Sequence, residues 1–169
     1  MTIRKRVASD LSELEALARR VHQLDGYPPY MPDDDFLNFV ASDEALESWV
    51  AVAGEVIAGH IALHQGSSPE VIALATSSLG IQPSQCGVVA RLLVAPEARR
   101  SGVGRQLLDH AETEARRRNL VPILDVVEHF DPAITLYERA GWTRLGTVVV
   151  NLPDGTTAHE HVYAAPAAS

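Results

Sequence analysis

The chain has 169 residues and a mass of 18.3 kDa, is 46% hydrophobic and 21% charged, and its mean hydropathy is zero. That profile fits one soluble globular domain over 1–169, long enough to build a core without disulfides or a structural metal. Fourteen basic against twenty-two acidic residues leave a formal charge of −8, a surface that repels phosphate backbones and anionic membranes, so neither nucleic acid nor membrane is an expected partner.

The single Cys86 excludes an internal disulfide and a cysteine-built zinc site. Asp10, Glu13 and Glu15 interrupt the stretch where the apolar core of a signal peptide would follow Arg4, Lys5 and Arg6. No run approaches the ~18 consecutive apolar residues that span a bilayer, and a cytoplasmic setting is expected.

In chain order, Thr2 to Val7 alternates as a short strand. Asp10 with Glu13 three positions on has the pattern of a capping box, ahead of a helix whose apolar stripe is Leu14, Leu17, Ala18 and Val21. The run Asp-Gly-Tyr-Pro-Pro-Tyr-Met-Pro over 25–32 is irregular, since its three prolines remove donors. Asp33 to Asp35 then open a short helix carrying Phe36, Phe39 and Val40. Trp49 to Ala53 and Val56 to Leu63 form a hairpin around Gly54-Glu55. Glu70 to Leu79 is helical in spacing, and Gly80 and Pro83 end it.

A strongly apolar strand, Val88 to Val94, is interrupted by Arg91. The loop Ala95 to Ser101 leads into a long helix, Val103 to Arg118, with Val103, Leu107, Leu108, Ala111 and Ala115 on its buried face. Ile123 to Val127 is a strand, Pro132 to Arg139 a helix, and Trp142 to Leu152 a strand that Asp154-Gly155 turns back into Thr156 to Tyr163. The small-residue tail Ala164 to Ser169 is expected to fray. Hairpins at both ends with helical crossovers between them predict a mixed α/β sheet.

The loop before the long helix is the most informative stretch. A strand feeds a loop with Gly102 and Gly104 that opens directly into a helix N-terminus, which aims unpaired backbone N–H groups and a positive dipole end at one small volume. Arg99, Arg100 and Arg105 add positive charge in an acidic protein, and phosphate suits such a place. The Walker pattern fails because Arg105-Gln106 follows Gly104, and the dinucleotide fingerprint fails because Leu107 stands where a third small residue belongs. On the local residues alone, a phosphate cradle and a tight turn with solvated arginines both stay open.

Arg99-x-x-Gly102-x-Gly104, preceded by Leu93-Val-Ala-Pro96 and followed by Gln106-Leu-Leu108, resembles the acetyl-CoA signature of the GNAT (GCN5-related N-acetyltransferase) superfamily. Downstream, Leu124-Asp-Val126, Ala133-Ile-x-Leu-Tyr-Glu138 and Gly141-Trp142 resemble a second segment of the same superfamily, in the right order and separation. The resemblance implies a mostly antiparallel sheet of six to seven strands flanked by helices, with the fourth and fifth strands splayed around the pantetheine arm of acetyl-CoA. It implies that Leu92, Leu93 and Val94 offer backbone hydrogen bonds to the pantetheine and acetyl groups. Arg99, Arg100, Ser101, Gly102, Val103, Gly104 and Arg105 would cradle the diphosphate. Relatives commonly carry Asn three positions before Ala133; Phe130 stands there instead.

Acetyl transfer to an amine needs a proton acceptor for the amine, a donor for the oxyanion and an acid for the departing thiolate. The resemblance assigns the acid to Tyr137; an ordinary phenol, with a pKa of about 10, is protonated at neutral pH. The competing reading of Tyr137 is an amphipathic core residue. Asp125, a carboxylate inside Ile-Leu-Asp-Val-Val and twelve residues before Tyr137, stands where N-terminal alanine acetyltransferases of the superfamily carry a catalytic glutamate. An ion pair with Arg91 and a strand-edge carboxylate are its other readings, and Glu128, His129 and His64 are reserve bases. His159 and His161 share a strand face with Glu160 pointing away, no third ligand is evident, and no metal is expected.

The loop after the first helix borders the acceptor site in the resembling fold. There Tyr27 and Tyr30 form an aromatic wall, and Asp33 to Asp35 either attract a cationic amine or cap a helix. The implied activity is acetyl-CoA-dependent N-acetylation of a small-molecule or peptide amine by direct attack on the thioester, with CoA as product. A non-catalytic acyl-CoA sensor and a nucleotide-binding module are the alternatives, and a homodimer stays open.

Overall fold

The computed structural model describes residues 1–168; Ser169, the end of the expected frayed tail, lies outside them. The described chain runs β1 (Thr2–Lys5), α1 (Leu11–Asp25), α2 (Phe36–Val40), β2 (Ala45–Ala53), β3 (Val56–His64), α3 (Pro69–Leu79), β4 (Cys86–Val94), α4 (Val103–Arg117), β5 (Val121–Val127), α5 (Asp131–Arg139), β6 (Thr143–Asn151) and β7 (Thr157–Ala164). The strands take the order β1-β2-β3-β4-β5-β7-β6. β4 with β5 is parallel, whereas β1 with β2, β5 with β7 and β6 with β7 are antiparallel. The mixed, mostly antiparallel sheet with flanking helices agrees with the expected class. By its internal contacts the chain divides into two compact units, Met1–Leu63 with Arg91–Ala111, and His64–Ala90 with Glu112 onward.

In the first unit, strand alternation sends neighbouring residues of β2 to opposite sides. Val50 joins Leu14, Leu17, Ala18 and Val21 of α1, Phe36 and Phe39 of α2, and Leu93 of β4 in one apolar cluster. Its neighbour Trp49, buried, meets the ring of His110 on α4 at 5.2 Å. Each buried aliphatic side chain of the α1 stripe contributes on the order of 2 kcal/mol.

The start of α1 differs from the expected capping box. The Asp10 carboxylate makes no cap bond to the helix; it accepts Arg4 Nη1 and Nη2 at 2.8 Å each, and the N–H of Val7 at 2.8 Å. Glu13 instead reaches across to accept the Ile57 N–H at 2.7 Å. A bidentate guanidinium is a stronger partner than one backbone N–H, and it takes the carboxylate.

In the second unit, register decides which residue faces which helix. Ile123, Asp125 and Val127 of β5 lie opposite Ala164, Val162 and Glu160 of β7, and share one face with them. That face packs on α3, where Val71 and Ala75 join Ile123, Val162 and Ala164 in an apolar cluster. Leu124 lies opposite Tyr163 on the other face, where the Tyr163 ring sits 6.1 Å from that of Tyr137 on α5. The parallel ladder between β4 and β5 pairs Cys86–Val88 with Val121–Ile123.

The tail is tied down further than expected. Ala164 ends β7, the Ala165 N–H donates to Pro122 O at 3.0 Å, and Arg116 donates to Pro166 O. Among the described residues no helix is long and apolar enough to cross a membrane.

Candidate active site

The loop between β4 and α4 places its polar backbone as the sequence suggests. Pro96–Ala98 makes one 3-10 turn, after which Arg100 (φ 63°) and Gly102 (φ 86°) both take left-handed backbone. Glycine adopts that conformation at no steric cost, and arginine does so only under constraint. Helix α4 then begins at Val103, and Gln106 is the first residue whose N–H is taken, by Gly102 O at 3.0 Å. Residues 99–102 close as a turn, but among the described residues no N–H from Arg100 to Arg105 makes a well-formed bond to a backbone acceptor. With the helix dipole behind them, these donors suit a diphosphate.

The arginines divide. Arg99 donates to both carboxylate oxygens of Asp25 at the end of α1, and Arg105 pairs with Asp109 one turn along α4 at 2.9 Å. Arg100 is exposed, beside the open N–H groups. The Ser101 hydroxyl donates back to Ala98 O. All three charges expected to meet an anion are exposed, but Arg99 and Arg105 are each paired with a carboxylate, and Arg99 joins the loop to α1.

Upstream, β4 is irregular where Arg91 interrupts it. Arg91 has φ 58°, which breaks regular strand geometry. Its carbonyl accepts from His60 Nδ1 at 2.8 Å, and His60 is fully buried. The Arg91 guanidinium donates to Phe39 O at 3.1 Å and lies 4.3 Å from the Phe39 ring centroid. Beyond it, Leu93 is buried, while Leu92 and Val94 are half-buried. Gly59 of β3 lets this strand approach closely: a Cβ there would lie 2.7 Å from Leu93 O and 2.8 Å from Leu107 Cδ1.

In the loop after α1, Tyr27 sets its ring edge-on to Phe39 at 5.8 Å and packs against the α1–α2 cluster, and Tyr30 is half-buried. Asp35 caps α2 by accepting the Asn38 N–H at 3.1 Å, the capping role for the aspartates. Asp33 and Asp34 are exposed with left-handed backbone.

In the second unit, Tyr137 is 8% exposed, between Tyr163 and the Trp142 ring at 6.5 Å. The Tyr163 hydroxyl donates to Glu138 Oε1 at 3.0 Å and accepts from Arg144 Nε at 3.3 Å, and burial pushes its phenol above the ordinary value. Phe130 precedes α5 without a side-chain cap bond, its ring 5.0 Å from that of His129.

Asp125 is half-buried on the α3 face and accepts the Ser67 hydroxyl at 3.2 Å. Since Tyr137 meets Tyr163 on the other face, the candidate base and the candidate acid belong to opposite sides of the β5–β7 ladder. Beside Asp125 stands a residue that sequence reasoning set aside. Glu160, opposite Val127, is pushed up to about 8 by burial, then by the Asp125 carboxylate and the hydrogen bond between the two, and by Glu70 of α3. Two acidic residues inside apolar strands were the available signal; their register was not.

The fold is shared with solved acetyltransferases. A ribosomal-protein-alanine N-acetyltransferase from Brucella melitensis aligns at TM-score 0.70 and 22% identity over 97% of this chain and 98% of its own. NAA60 from Arabidopsis thaliana, solved with acetyl-CoA, aligns at 0.70 and 20% identity over 96% of each chain. A putative acetyltransferase, yncA, from Salmonella typhimurium with its cofactor acetyl-CoA gives 0.70 and 18% over 96% of this chain and 91% of its own. No curated protein matches the chain by sequence. The family model for acetyltransferases of the GNAT family matches residues 10–142, most of the chain and both of its motif blocks, and the chain therefore belongs to the GNAT acetyltransferase family.

Proposed function

We propose that the chain is a single-domain, cytoplasmic N-acetyltransferase that moves the acetyl group of acetyl-CoA to a primary amine of a small molecule or a peptide N-terminus, by direct attack on the thioester. The observation that carries this reading is the run of untaken N–H groups from Arg100 to Arg105 at the head of α4, with left-handed backbone at Arg100 and Gly102. The acetyl-CoA held by two of the structural relatives supports it. In this reading those amides and the Arg100 guanidinium bind the diphosphate, and the backbone of Leu92, Leu93 and Val94 binds the pantetheine and acetyl groups. Arg99 holds the loop to α1 through Asp25.

Asp125 takes the proton of the attacking amine, the N–C bond forms, the C–S bond breaks, and the thiolate receives the phenolic proton of Tyr137. A backbone N–H near Leu93 stabilises the oxyanion. Tyr27 and Tyr30 border the acceptor. Phe130, at a position where relatives carry an amide, favours a second reading, a non-catalytic acyl-CoA-binding domain.

The test is thiol release from acetyl-CoA with a panel of primary amines. Amine-dependent release that Tyr137→Phe lowers by about 100-fold, with KM little changed, supports the transferase. Tight CoA binding without amine-dependent release supports the sensor.

A further inference from the structure

The placement of Asp125 beside Glu160 has a consequence for how the Asp125 carboxylate is held. Glu160 lies two residue pairs along the β5–β7 ladder from Asp125 and on the same face, a diagonal spacing that two carboxyl groups can bridge. Glu160 feels the like charges of Asp125 on β5 and Glu70 on α3, and β6 sets Val148 directly opposite. None of these is a cation. Two adjacent carboxyls without a counter-charge cannot both ionise cheaply, so one proton stays with the pair. Ser67, just ahead of α3, donates to Asp125 Oδ1 at 3.2 Å, which occupies part of that carboxylate and leaves the rest of its lone pairs to other donors.

We propose that Glu160 is a positioning residue for Asp125: its protonated carboxyl donates a hydrogen bond that, together with Ser67, fixes the Asp125 carboxylate as the acceptor of the amine proton. The role rests on the function proposed for Asp125 above. The amine attacks as the neutral base with its lone pair free, and Asp125 receives the one proton it gives up as the N–C bond forms. Glu160 keeps its own proton throughout.

Two measurements test this. In kinetics with an active amine, Glu160→Ala lowers kcat by about tenfold, and Glu160→Gln, which keeps an N–H donor toward Asp125, restores most of it. The wild-type rate profile bends near pH 8, and that bend is missing in Glu160→Gln. In thermal melts, which need no turnover, the wild type loses stability relative to Glu160→Gln as pH rises from about 5 to about 9, because the folded state holds a proton that the unfolded chain has released. Melting curves that stay parallel over that range overturn the proposal, as does a Glu160→Gln enzyme no better than Glu160→Ala. Either result, beside intact amine turnover, leaves the transferase reading standing; absence of turnover with every amine strikes that reading instead.

Discussion

His60 Nδ1 lies 2.8 Å from the carbonyl oxygen of Arg91, at the point where β4 turns into left-handed backbone. A carbonyl only accepts, so the proton of this bond sits on Nδ1, and a fully buried ring holds the strand in its irregular path. Replacing His60 with Ala removes a donor from a buried acceptor and opens a void; the expected cost is about 3 kcal/mol of unfolding free energy in urea titration. CoA affinity falls as well, because Leu92 to Val94 follow directly from Arg91.

Gly59→Ala tests the close approach of β3 to the same strand. Two of the three nearest atoms lie under 3 Å from the new Cβ, and one of them, Leu93 O, is backbone that cannot swing aside. An overpacking cost of about 2 kcal/mol is expected in chemical denaturation, with a weaker CoA signal in calorimetry.

The two neighbouring arginines should separate in binding. Arg100→Ala is expected to weaken CoA about tenfold in calorimetry, with a shallower salt dependence, since an exposed guanidinium is removed from beside the open N–H groups. Arg99→Ala breaks an exposed ion pair with Asp25 and is expected to change stability by less than about 1 kcal/mol. A larger loss of CoA affinity from Arg99→Ala than from Arg100→Ala would reverse the assignment.

The Arg4–Asp10 clamp sets an acid limit. The Arg4 guanidinium holds the Asp10 carboxyl below the usual carboxylate range. A lowered folded value means that the stabilisation is complete above the ordinary carboxylate pKa and is lost as pH falls through the folded value. Thermal melts of the wild type should therefore fall away at the acid end, while Asp10→Asn starts lower at neutral pH and shows a flatter acid limb.

Much of this was legible in the chain. The anion loop was readable because its signal is local: glycines, a helix start and the residues between them are consecutive, and backbone N–H geometry follows from them. The helix stripes Leu14-Leu17-Ala18-Val21 and Val103-Leu107-Leu108 were readable for the same reason. Asp10 was misread because its partner, Arg4, lies in another element, and the capping pattern with Glu13 is only a local preference. Asp125 was visible as a lone carboxylate among apolar residues. Its neighbour Glu160 was not, since a residue between two histidines has no marked face until β7 is placed beside β5.

That placement also sets how much sliding the molecule tolerates. Strand side chains alternate with a period of two, so displacing β5 by one residue against β7 would bring Leu124 to Ser67 and Glu160, and thrust Asp125 among the aromatic rings of Tyr163 and Tyr137. A one-residue insertion between Val121 and Leu124 would leave every strand and helix spellable in the sequence, yet exchange the acidic and aromatic sides of the ladder. Length between Val121 and Val127 is therefore more tightly constrained than the identity of most side chains within it.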